Sequence, residues 1–95
     1  MTAPIETVRL RITGNVQGVG YRLWATRTGT SLGLRGWVRN RTDGSVEALA
    51  TGAPAAVAAM IEASRKGPFG AQVRDVTVTP DQDHGSMGFV ARPTE

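Results

Sequence analysis

Gly14-Asn15-Val16-Gln17-Gly18-Val19-Gly20-Tyr21-Arg22 is the stretch on which the fold turns. The residues before it, Thr-Val-Arg-Leu-Arg-Ile-Thr at 7–13, alternate strictly. Val8, Leu10 and Ile12 fall on one side and Arg9 and Arg11 on the other, the pattern of a half-buried strand. Beyond it Tyr21, Trp24, Ala25, Thr28 and Leu32 recur at three-to-four spacing, which predicts a helix over 21–32. Between strand and helix stand three glycines, no carboxylate and, at the far end, Arg22. A glycine-rich bend that opens a helix can aim several backbone N–H groups at one point, and such a concavity binds anions. A cation is disfavoured at the positive end of a helix dipole, so the position of Arg22 asks for an anion beside it. Its guanidinium can clamp that anion with two parallel hydrogen bonds. The stretch reads as a phosphate cradle made of Arg22 and the backbone of Asn15, Val16, Gln17, Gly18, Val19, Gly20 and Tyr21.

The rest of the chain alternates in the same short units. Leu34–Asn40 is a second strand, with Leu34, Gly36, Val38 and Asn40 on one face and Arg35, Trp37 and Arg39 on the other. Arg41-Thr42-Asp43-Gly44 is a hairpin turn, and Ser45–Thr51 a third strand with Val46, Ala48 and Ala50 inward. Pro54 suits the first turn of a helix over 54–65, whose stripe is Val57, Met60 and Ile61, and Gly67-Pro68 ends it. Gln72–Thr79 is a fourth strand; Val73 and Val76 are three apart, which breaks alternation and points to a bulge or an early irregular turn. Pro80–Gly85 is a polar loop expected to be flexible, and Met87, Phe89 and Ala91 suggest a short last strand. The order β-α-β-β-α-β with a short fifth strand predicts an α+β, ferredoxin-like split βαβ sandwich, its antiparallel sheet carrying two helices on one face. In that topology the third strand lies between the first and second. The glycine bend and Asn40 then end up at one edge, about 10 Å apart across two strand spacings.

Bulk properties narrow the function. Ninety-five residues suit a single domain, 1–95, with one modest core. The absence of cysteine excludes disulfides, a thiolate nucleophile and cysteine-ligated metal. No apolar run reaches the roughly 18 residues a membrane span needs, and the N-terminal residues lack the pattern of a signal peptide, so a cytoplasmic location is the default. Eleven basic against eight acidic residues leave a net charge of +3, small for a nucleic-acid binder but suited to a small anionic ligand. Neither the bend nor the end of the second strand holds a carboxylate, serine, histidine or cysteine. That argues against a divalent-metal site, a paired-acid mechanism or a covalent nucleophile, and no cofactor is expected. What remains is anion binding plus a water oriented by the Asn40 amide, which suffices for phosphoryl transfer from an activated leaving group.

These residues resemble the acylphosphatase family. The likeness is carried by Gly14–Arg22, by Leu32-Gly33-Leu34-Arg35-Gly36-Trp37-Val38-Arg39-Asn40 with Asp43-Gly44-Ser45-Val46-Glu47, and by Gly67-Pro68 with Ala71 and Val73; it extends over about residues 6–91. The resemblance implies hydrolysis of carboxyl-phosphate mixed anhydrides to a carboxylate and inorganic phosphate, without metal. It implies that Arg22 and the loop N–H groups hold the phosphate, that Asn40 positions the attacking water, and that the substrate's own phosphate serves as base. The partner implied is a small-molecule acyl phosphate, with no nucleic acid and no membrane. Three positions depart from the commonest pattern. Asn15 replaces a basic residue or threonine. Gly29 replaces an alanine, which should loosen the first helix by roughly 1 kcal/mol. Ala91 replaces a larger aliphatic, so the last strand should pack loosely.

Two other functions share the topology: RNA binding and a non-catalytic carbamoyl-phosphate-binding module. RNA-recognition domains stack bases on aromatics of the central strands, whereas the outward positions here are Arg9, Arg11, Ser45, Glu47 and Leu49. Trp24 and Trp37 read as packing, Arg35 and Arg39 as solvated or ion-paired surface, Glu47 as a surface strand residue and Asp43 as a turn former. Asp81, Asp83 and His84 read as polar loop rather than metal ligands. The arginines of the uncovered sheet face argue for a monomer.

Overall fold

The computed structural model describes residues 3–95. The chain runs β1 (Glu6–Asn15), α1 (Tyr21–Ser31), β2 (Arg35–Asn40), β3 (Val46–Gly52), α2 (Pro54–Lys66), β4 (Gln72–Pro80) and β5 (Phe89–Arg92). All five strands share one sheet in the order β4-β1-β3-β2-β5. β3 pairs antiparallel with both β1 and β2, so β1 and β2 run the same way and end at the same edge.

The alternation of β1 does what its pattern requires. Val8, Leu10 and Ile12 are buried, and across the sheet Val38, Val46, Ala48 and Ala50 join them. Tyr21 and Ala25 of α1 and Val57 and Met60 of α2 close the same core. Neither helix is strongly amphipathic in sequence, so packing on the sheet holds them more than propensity does. α2 gains from Pro54 in its first turn and from Arg65 and Lys66 in its last, where cations complement the dipole.

The sheet departs from the expected antiparallel arrangement at β5, which pairs parallel with β2: Gly36 lies opposite Phe89 and Val38 opposite Ala91. The reason is the route of the chain. β4 ends at Pro80, opposite Val8 near the start of β1. Residues 81–88 then cross the outer face to the start of β2, and a strand laid down from there must run with β2.

That crossing segment is anchored rather than loose. Arg9 pairs with Asp81 at 2.6 Å, Arg35 with Asp83 at 2.6 Å, and the Asp81 N–H donates to the Thr7 carbonyl at 3.1 Å. The Trp37 indole donates to His84 Nδ1 at 3.2 Å, and the two rings stack. Trp37 is 1% exposed although it faces away from the core. Its cover is the guanidinium groups of Arg9, Arg39 and Arg92, at 5.6, 4.9 and 4.7 Å from the ring. Glu47 holds two of these in place, accepting from Arg9 at 2.6 Å and Arg39 at 2.8 Å. It is the hub of the outer face, where the sequence suggested only a surface residue.

The irregularity expected in the fourth strand is a bulge near the end of the β1–β4 ladder. Thr13 pairs with Asp75 and Gly14 with Val73, so Arg74 has no partner across the ladder. A Cβ on Gly14 would stand 2.2 Å from the Gln72 carbonyl oxygen, so only glycine fits. β4 is the free edge of the sheet on this side.

Candidate active site

The loop between β1 and α1 is shaped by two residues in left-handed conformation, Gly18 at φ 74° and Gly20 at φ 79°. Gly20 opens α1 with no side-chain cap, and the first turn carries no acidic residue. The first helical N–H groups have no intrahelical acceptor by geometry. Among the described residues the N–H groups of Gln17 to Gly20 also donate to no protein acceptor. A row of uncommitted donors therefore sits at the positive end of a helix dipole.

The loop is held from both sides. Val16 is fully buried and Val19 packs against the core. The Gln17 amide donates to the carbonyls of Arg41 and Ser45, both at 2.8 Å. This ties the loop to the β2–β3 hairpin, whose turn is fixed in its own right. Asp43 accepts from the Ser45 N–H at 2.9 Å and from its hydroxyl at 2.6 Å. Those bonds, with Arg11 at 2.7 Å, hold the Asp43 carboxyl well below the usual carboxylate range.

Arg22 lies in the first turn of α1 and Asn40 is the last residue of β2. Both line one pocket of about 430 Å³, together with Val16, Gly18, Gly20 and Tyr21. Asn15, Gln17 and Val19 lie outside the lining: Asn15 is still in β1 opposite Gln72, and the other two anchor the loop. Tyr21 forms the floor. Its hydroxyl donates to the Ser64 carbonyl at 2.7 Å, and burial pushes its pKa up to about 12 despite that bond.

The last residues of the chain brace both site residues. Arg22 Nη1 donates to the Arg92 carbonyl at 3.1 Å, and the Glu95 N–H donates to the Asn40 carbonyl at 3.0 Å. The Glu95 carboxylate also pairs with Arg39. None of this was visible in the sequence, nor were three further lining residues, Leu23, Thr26 and Ala91. Thr26 could have been found, since it stands one turn beyond Arg22 on the same helix face. Ala91 could not, because its place depends on the parallel pairing of β5.

Chemically, the pocket offers one cation, a set of N–H donors and one neutral amide. Among the described residues no three His, Cys, Asp or Glu side chains stand together to hold a metal ion. The arrangement fits a tetrahedral oxyanion with a water beside it.

Comparison with known proteins agrees with this geometry. The family model described as Acylphosphatase matches residues 8–91. The chain belongs to the acylphosphatase family. It is 51% identical over 90 residues to an acylphosphatase of Rhodospirillum rubrum, covering 95% of this chain and 99% of that one. It is 58% identical over 73 residues to an acylphosphatase of Mesorhizobium japonicum, covering 77% and 78%. The crystal structure of acylphosphatase from Bacillus subtilis superposes with a TM-score of 0.87 at 34% identity, over 94% of this chain and 99% of that one. The protein is accordingly a hydrolase of acid anhydrides, and its substrate is a small-molecule acyl phosphate. On the outer sheet face Trp37 lies beneath three guanidinium groups.

Proposed function

We propose that this acylphosphatase works without metal, with Arg22 and the backbone N–H groups of the glycine loop ahead of α1 binding the phosphoryl group and Asn40 orienting the attacking water. One observation carries the reading. Arg22 and Asn40 come from different elements at the same sheet edge, yet they line one pocket with Gly18 and Gly20. The loop N–H groups and the guanidinium neutralise the equatorial phosphoryl oxygens. The Asn40 side-chain amide accepts from water and holds it in line with the scissile bond. The water oxygen bonds to phosphorus as the bond from phosphorus to the acyl oxygen breaks. The carboxylate leaves with that electron pair, and the water proton passes to a phosphoryl oxygen. No protein base is required, because a carboxylate is a good leaving group and charge stabilisation carries most of the catalysis.

The test is hydrolysis of benzoyl phosphate by purified protein in excess chelator. Full activity is expected; its loss, with recovery on adding a divalent cation, would overturn the metal-free reading.

We also infer one acylphosphatase-like domain over residues 1–95 that acts as a cytoplasmic monomer without nucleic-acid partners. The inference is supported by one sheet and core shared by all five strands and by an outer face closed with ion pairs. Light scattering showing a dimer, recovery in a membrane or extracellular fraction, or retention on nucleic acid at physiological salt would correct it.

A further inference from the structure

We propose that Leu23 and Ala91 form the seat of the acyl group and that they select acyl phosphates whose acyl part is uncharged and apolar. The inference rests on the reading of Arg22 and the glycine loop as the phosphoryl site, and it names the substrate class that site takes.

The pocket of about 430 Å³ lies within the range of sites that hold a whole small ligand, well beyond what one phosphoryl group fills. Gly18, Gly20 and Arg22 account for one end. The remaining wall is Leu23, Thr26 and Ala91, on the groove between α1 and β5. Leu23 is 56% exposed in the first turn of α1, next to Arg22. An aliphatic side chain in the wall of a ligand-sized pocket offers an apolar group a surface to cover. Ala91 faces it from β5, and its single methyl leaves room that a larger side chain would occupy.

Charge argues the same way. Among the described residues Arg22 is the only cation in the lining. Three arginines of the neighbouring strands and hairpin are committed elsewhere, while Arg27, one turn beyond Leu23 on α1, is exposed and does not line the pocket. Arg92 gives its carbonyl to Arg22 and turns its guanidinium onto Trp37, on the opposite face of the sheet. Arg39 serves Glu47 and Glu95. Arg41 stands 3.5 Å from Glu47. A second phosphate or carboxylate on the acyl group would be partly desolvated here with no second cation in the lining to meet it, which is unfavourable. A phenyl or alkyl group would instead cover Leu23.

The experiment measures kcat/KM for acetyl phosphate, benzoyl phosphate and succinyl phosphate, whose acyl group ends in a carboxylate. Wild type, Ala91→Leu and Leu23→Arg are compared. Wild type should favour benzoyl over succinyl phosphate by about tenfold or more, the usual worth of an apolar pocket. Ala91→Leu should lower the benzoyl-to-acetyl ratio about tenfold by filling the seat. Leu23→Arg should raise the succinyl-to-benzoyl ratio by a similar factor. Inhibition by inorganic phosphate, measured on each preparation, reports whether the phosphoryl end is intact. If Ala91→Leu does not fold, Ala91→Val makes the same comparison with a smaller expected change. Ratios unchanged in all variants, or a wild type that prefers succinyl phosphate, would overturn the proposal while leaving the phosphoryl site standing. A wild type that hydrolyses none of the three compounds would overturn the reading of the pocket itself, and the acyl seat with it.

Discussion

The Arg22 guanidinium donates from Nη1 to the Arg92 carbonyl at 3.1 Å, so the residue proposed to hold the anion is itself aimed by β5. A guanidinium has five N–H donors in a fixed plane. One is spent on Arg92, and that bond orients the others toward the pocket. Arg22→Ala should therefore lower kcat/KM by roughly 10²–10³, the usual loss for a donor that stabilises a developing oxyanion. It should also abolish inhibition by phosphate while leaving the circular dichroism spectrum unchanged. Arg22→Lys keeps the charge but cannot hold both the carbonyl and a bidentate anion, so it should recover little activity. A lysine variant near wild type would show that charge alone matters.

Asn40 should behave differently. Its main chain is pinned by Val46 and by the Glu95 N–H, leaving the side-chain amide for water. Asn40→Ala should lower kcat steeply with little change in the inhibition constant of phosphate, as for a contact made in the transition state. Asn40→Asp should weaken phosphate binding as well, because it places a carboxylate beside the anion. Equal losses of kcat and phosphate affinity in Asn40→Ala would make it a binding residue instead.

Helix propensity favours Gly29→Ala by about 1 kcal/mol. The structure reverses the sign. A Cβ at position 29 would stand 2.7 Å from Phe89 Cγ, because the ring of β5 fills the space the alanine methyl would take. Gly29→Ala should destabilise by about 1–3 kcal/mol, the usual cost of overpacking. Adding Phe89→Leu should recover part of that loss. A rise in melting temperature in the single variant would refute the packing argument.

The outer-face cluster predicts an acid-sensitive term. Burial raises the Glu47 carboxyl, but the hydrogen bonds from Arg9 and Arg39 more than offset it, so Glu47 titrates below its ordinary range. The stabilisation is thus present above the unfolded carboxylate value and lost as pH falls through the lower folded value. Glu47→Gln should cost about 1–3 kcal/mol at pH 7. The gap between the variant and wild type in denaturant midpoint should close below about pH 4. A gap that stays constant from pH 7 to pH 3 would remove Glu47 from the acid response.

At the alkaline end Tyr21 carries the sensitivity. Its folded pKa is raised to about 12, so stability is intact below the ordinary tyrosine value and falls as pH rises through that window. Tyr21→Phe should be less stable at neutral pH, having lost the bond to Ser64, and should lose less on going to pH 11. An identical alkaline slope in both proteins would assign the loss elsewhere.

Much of this molecule could be read from local pattern. Strict alternation placed β1, β2 and β3, the Val73–Val76 spacing marked the bulge, and the glycine bend with Asn40 pointed to one edge. Each of those signals is carried by neighbouring residues in sequence. What escaped was non-local. The direction of β5 depends on where residues 81–88 cross, and the burial of Trp37 depends on arginines from three strands. Ala91 was read only as a strand end because its neighbour across the sheet could not be known; that neighbour is Val38, two residues before Asn40, and the pairing brings Ala91 to the pocket wall. The Gly29 substitution reads as a weakness in a helix considered alone and as a fit once Phe89 lies against it.

The irregular β1–β4 ladder also bears on how much of the sheet's open edge is available for pairing. An open nine-residue edge rich in valine and threonine invites a second copy to add on as a further strand. The kink at Arg74 and the missing N–H of Pro80 interrupt it at both ends, leaving the run Asp75–Thr79. That run is shorter than the roughly six residues typical of segments that stack into fibrils, and it begins with a charge. The register shift at Gly14, where the chain turns toward the loop, thus also shortens the stretch of β4 that a further strand could join.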